Sequence, residues 1–115
     1  MKSDVMTEKI DFENVVGSEL LEYISFKDEF PNEAEMAFYV FQARYQRDIL
    51  QKSEVLCSKF EYNEAIAFLA ATCTFDKVWK NAHTFNMKKA NTKNVDKAIL
   101  LWMYKILFTQ ILLFK

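Results

Sequence analysis

The sequence predicts an all-α fold, a compact bundle of three to four helices, and three observations carry that expectation. The 115 residues include one glycine and one proline, whereas a sheet protein needs many tight turns built from residues that tolerate positive φ. Apolar residues make up 51% of the chain and aromatic ones 16%, and over long stretches they recur every three or four positions, the period of a helix face. A length near a hundred residues sets one domain with a sizeable core.

The elements follow in order. Residues 1–16 read as a weakly ordered start, with no apolar stretch of the kind that marks a secretory signal. Residues 17–29 place Leu20, Leu21, Ile24 and Phe26 at near-helical spacing in a short acidic helix. Phe30-Pro31-Asn32 breaks it, because the residue before a proline is pushed out of the α region. Asn32 with Glu35 reads as a capping box opening a second helix, with Ala37, Val40, Phe41, Tyr45, Ile49 and Leu56 inward as far as about Phe60. Asn63 caps a third helix that runs to about Phe85 with Ala65, Phe68, Leu69, Thr72, Phe75, Trp79 and Ala82 on its core face. Residues 86–94 are polar, basic and asparagine-rich, a loop. Asn94 caps the fourth helix, with Asp96 favourably near its N-terminus.

That fourth helix is apolar all round. From residue 98 to 114 its polar members are Lys105, Thr109 and Gln110, so it is buried, membrane-embedded or missing its partner, and a truncated parent or a homodimer interface explains it best. A membrane span is disfavoured by its length of 17 residues and by the central Lys105.

Composition narrows the chemistry. A single glycine leaves no material for a glycine-rich phosphate loop. Cys57 and Cys73 are too few for a disulfide framework and lie in apolar helical contexts, as reduced residues of a cytoplasmic protein would. With His83 as the one histidine, neither a histidine metal site nor a nucleophile–histidine–carboxylate grouping can be assembled. The expectation is a non-enzyme without a cofactor or metal.

Charge is balanced overall at −1 but unevenly spread. Residues 1–60 hold 7 basic and 12 acidic side chains, and residues 61–115 hold 8 basic and 4 acidic. Lys77, Lys80, Lys88, Lys89, Lys93, Lys97 and Lys105 form a positive run in the second half, pointing to a polyanion-facing surface.

The stretch Thr74-Phe75-Asp76-Lys77-Val78-Trp79-Lys80-Asn81-Ala82-His83-Thr84-Phe85 resembles the signature helix of bacterial RNA polymerase sigma factors of the extracytoplasmic-function type, in their domain 2. Leu101-Trp102-Met103-Tyr104-Lys105-Ile106 is similar to the family's next pattern. Phe38 to Leu50 is similar to its first aromatic-rich helix, and the three blocks follow in the family's order over residues 33–115. Where the family carries acidic residues ahead of the signature, this chain reads Ala65-Ile66-Ala67-Phe68-Leu69-Ala70-Ala71-Thr72-Cys73.

The resemblance implies a helical domain that docks on the clamp helices of core RNA polymerase and captures unstacked bases of the promoter minus-ten element. DNA contacts would come from Lys88, Lys89, Asn91, Lys93, Asn94, Lys97, Trp102 and Lys105, with Asn86 and Tyr104 nearby. Polymerase contacts would come from Cys73, Asp76, Lys77 and Lys80, and an anti-sigma factor is a further implied partner. The acidic segment 1–32 would stand apart from the bundle of 33–115, and the acidic residues of 1–35 would shield the basic surface. The family's C-terminal helix-turn-helix domain has no counterpart, as in a truncated factor. The alternative is a helical interaction or dimerisation module that binds no nucleic acid, with its lysines scattered rather than gathered.

Overall fold

The structure, a computed structural model, describes residues 10–114. They form an all-helical bundle of α1 (Gly17–Ser25), α2 (Pro31–Ser58), α3 (Glu64–Asn81) and α4 (Val95–Leu112), with no strand among the described residues. Single 3-10 turns lie at Phe12–Asn14, Ala82–Thr84 and Met87–Lys89.

The central element is α2, which packs on each of the other three helices. At ~1.5 Å per residue its 28 residues span roughly 40 Å. Ala37, Phe41, Tyr45, Ile49, Ser53 and Cys57 follow one another every fourth position, and all six are buried. Phe41 packs its ring on Tyr45 at 4.8 Å and edge-on to Phe75 of α3 at 6.4 Å.

The short acidic helix buries Leu20, Leu21 and Ile24 in the same core as α2, α3 and α4. Residues 1–9 lie outside the described residues, and those from Phe12 to Val15 pack against the bundle. Phe12 is buried and meets Tyr23 edge-on at 5.1 Å. The Arg44 guanidinium of α2 donates to the carbonyls of Val15 at 2.7 Å and Glu13 at 3.0 Å, clamping the turn before α1.

Gly17 opens α1 where three helices meet. A Cβ there would stand well inside 3.0 Å of the Tyr45 hydroxyl and 2.5 Å from Ile99 Cδ1. Space, not backbone freedom, fixes this glycine, since no glycine has positive φ. The Tyr45 hydroxyl donates to Asp96 Oδ1 at 2.6 Å, and burial, reinforced by that carboxylate, holds its pKa far above the usual phenol value.

Two expectations are corrected here. Asn32 does not cap α2: Phe30 stands at the cap with no side-chain bond and Pro31 takes the first helical turn, where a missing N–H costs nothing and the fixed φ fits. The core face of α3 is rotated from the one periodicity indicated. Ala65, Phe68, Leu69 and Thr72 are exposed and Trp79 is half-buried, while Ala67, Ala70, Ala71, Thr74, Phe75 and Val78 face inward. Small residues let α3 lie close on α2, close enough for the Ser53 hydroxyl to donate to the Ala67 carbonyl at 2.7 Å. The all-round apolar α4 buries Ile99, Met103, Leu107 and Ile111 fully and leaves Leu101 and Phe108 more than 40% exposed, an apolar face open on the bundle's outside. No helix among the described residues is long and apolar enough to cross a membrane.

The corner after α2 carries the non-glycine residue with positive φ, Glu61 at 62°. The Tyr62 N–H donates to the Cys57 carbonyl and the Glu61 N–H to that of Ser58, the paired bonds of a Schellman ending with Glu61 where glycine is preferred. Glu61→Gly is therefore expected to raise stability by about 0.5–1 kcal/mol, the relief of the left-handed strain less the added chain entropy. Chemical denaturation at constant slope measures it, and a loss of stability would contradict the assignment.

Candidate nucleic-acid interface

A groove of about 620 Å³ runs between α4, the connection after α3 and the far half of α2. Its walls form because α4 turns its 101–104–105–108 side away from the core while the connection folds back over it. Phe85, which follows the turn that ends α3, meets Trp102 edge-on at 5.4 Å. Asn86 Oδ1 accepts from the Lys88 N–H at 2.9 Å, fixing the turn Met87–Lys89. Asn94 Oδ1 accepts from the Lys97 N–H at 3.0 Å and starts α4.

Four aromatic residues line the groove: Phe85, Trp102, Tyr104 and Phe108. Three lysines join them, Lys52, Lys89 and Lys105, together with Asn86 and Asn91, and no carboxylate is among the lining residues. The Lys52 ammonium lies over the Tyr104 ring, 5.1 Å from its centroid. Burial, with the nearby charge of Asp48, raises the Tyr104 pKa. This set of groups can receive a flat aromatic ligand bearing negative charge: rings to stack on, amides to bond its edge and ammonium groups for its anionic part.

Of the DNA contacts expected from sequence, Lys89, Asn91, Trp102 and Lys105 meet in this groove. Lys88 does not, and lines a separate depression shared with Glu22 and Phe26 at the α1 side. Lys93 and Lys97 are exposed and lie outside the groove lining, and Asn94 serves as a helix cap. Sequence reasoning missed Lys52, Leu56 and Phe108. Lys52 and Leu56 stand one turn apart beside the buried 49–53–57 line, an edge position the helical period could have flagged, but their pairing with α4 is tertiary.

The residues expected to meet polymerase, Cys73, Asp76, Lys77 and Lys80, do share a stripe of α3. Cys73 is half-buried, and the other three are exposed. Asp76 and Lys80 form an i,i+4 ion pair at 3.1 Å, worth at most about 0.5 kcal/mol at such exposure. Asp76 also borders a second aromatic groove of about 510 Å³ with Phe38, Tyr39 and Trp79. There Trp79 meets Phe38 edge-on at 5.2 Å and lies beneath the Lys27 ammonium at 5.5 Å.

No protein-family model matches the chain, and no curated protein and no solved structure matches it either.

Proposed function

We propose that the chain acts in transcription initiation as a sigma-type domain, holding unstacked bases of a separated DNA strand in the groove along α4 while the α3 stripe meets RNA polymerase. The observation that carries this reading is the meeting of three ammonium groups, four aromatic residues and two amides in one groove lined by no carboxylate, although of the seven-lysine run only Lys89 and Lys105 reach it. A base stacks against Trp102 in the niche beside Phe85, its edge meets Asn86 or Asn91, and Lys89 and Lys105 take the flanking phosphates. The groove lies at the connection and helix that carry the sigma-like blocks. Polymerase docking falls to Cys73, Asp76, Lys77 and Lys80, an anti-sigma factor covers the same surfaces when the domain is silenced, and the cytoplasm is its place of action.

Fluorescence anisotropy of a short AT-rich single strand at about 50 and 200 mM salt tests the reading. Binding is expected to weaken with a logarithmic slope near −2, about 0.7 for each of three groove cations. Trp102→Ala is expected to weaken it about tenfold or more through lost stacking. No binding at the lower salt, or equal affinity for the duplex, would overturn it. Co-purification with the polymerase clamp helices tests the docking half.

The second reading, a dimerisation module, draws on the exposed apolar side chains Leu101, Phe108 and Leu112 of the outer α4 face and Leu113 just past its end. A concentration-dependent doubling of mass in sedimentation, abolished by Phe108→Glu, would favour it.

A further inference from the structure

We infer that Lys52, carried on α2 and steadied over Tyr104, is a strand-gripping residue of the groove, taking a backbone phosphate of the DNA whose base lies on Trp102. The inference rests on the single-strand reading of that groove and adds a contact from α2, two positions past the end of the sigma-like block at 38–50.

The argument begins with charge. Among the described residues the one ion pair within 4 Å joins Lys80 and Asp76, so no described carboxylate pairs with Lys52, a half-buried residue. Asp48, one turn earlier on α2, is near enough to be felt by the Tyr104 hydroxyl but forms no ion pair with Lys52. The lysine instead lies 5.1 Å from the centre of the Tyr104 ring.

Two consequences follow from that placement. The side of the Tyr104 ring beneath the ammonium is occupied, which leaves Trp102 as the stacking surface and gives Tyr104 a positioning role. And a cation already steadied by a ring loses less rotamer freedom on meeting an anion than a free surface lysine does. An ammonium is a compact, strongly hydrated charge, better matched to a phosphate oxygen than to a base edge. Lys52 on α2 and Lys105 on α4 line the same groove, so the bound strand passes between the two helices.

The test uses the full chain and the same AT-rich single strand. Lys52→Gln is expected to weaken binding about three- to tenfold and to reduce the salt slope by about 0.7, one phosphate contact. Lys52→Arg keeps the charge and retains affinity. Tyr104→Phe keeps the ring and binds as the parent does. Tyr104→Leu weakens binding as Lys52→Gln does, and the double variant is no weaker than either single one, the mark of two residues acting as a unit. Far-ultraviolet dichroism and thermal unfolding confirm that each variant is folded.

Parental binding together with an unchanged affinity and salt slope in Lys52→Gln overturns the inference and spares the groove. Loss on Tyr104→Leu without loss on Lys52→Gln also overturns it, making Tyr104 itself the stacking surface. Absence of binding by the parent chain overturns the groove reading, and this one with it.

Discussion

Phe41→Ala is expected to lower the unfolding free energy by about 3–5 kcal/mol, the range for removing a fully buried phenylalanine ring without refilling its space. Phe41 has no exposed surface and lies near the middle of α2, against Tyr45 on its own helix and Phe75 on α3. The surrounding helices cannot close the void cheaply, because α2 is held by each of the other three helices. Total stability of a domain this size is about 5–15 kcal/mol, so the loss is a large share of it. Urea denaturation should show a lower midpoint at constant slope. Phe41→Leu, which keeps most of the volume, should cost about 1.5 kcal/mol or less. A Phe41→Ala loss below 1 kcal/mol would mean that the ring is not the hub its surroundings indicate.

Gly17→Ala is the second large effect, with an expected loss of about 2–3 kcal/mol from one added carbon, as overpacking at a closed site costs. The Ile99 methyl can rotate away, but the Tyr45 hydroxyl is fixed by its bond to Asp96 and its ring is wedged against Phe41. Either α1 lifts from α2 and α4 or that bond breaks. At roughly 4–8 °C per kcal/mol, the melting temperature should fall by 10 °C or so. Tyr45→Phe in the Gly17→Ala background removes the obstructing oxygen and should return part of the loss, a non-additivity that distant sites do not show. Additive losses would place the cost elsewhere.

The helix starts at Gly17, Glu64 and Val95 were legible because each rests on local chemistry: a side-chain cap at Asn63 and Asn94, and an apolar period in α1. The inward line of α2 was legible at Ala37, Phe41, Tyr45 and Ile49 for the same reason. What failed was the rotation of α3. Hydrophobicity alone ranks Phe68 and Leu69 above Ala67 and Ala70, but which face turns inward depends on how near the neighbouring helix comes. Ser53 and Cys57 on α2 leave a shallow seam that admits methyl groups and excludes rings. The single glycine told of few turns, and its use as a clearance for the Tyr45 hydroxyl needed the third dimension.

The groove was half-legible in the same sense. Lys89, Asn91, Trp102 and Lys105 come from one continuous stretch, whose basic and aromatic character is visible in order along the chain. Lys52 enters from a helix more than thirty positions earlier, and Lys88 leaves because adjacent residues in a 3-10 turn point to different sides.

One buried bond has a consequence for how α2 and α3 are seated. A seam of methyl groups is nearly indifferent to sliding, since each alanine resembles the next. The Ser53 hydroxyl, sealed from water and bonded to the Ala67 carbonyl, ends that indifference: any slip strands a donor in an apolar gap at a cost of about 1–3 kcal/mol. It works as a detent, giving two otherwise interchangeable surfaces one resting position and keeping the α3 stripe in step with the groove beyond it.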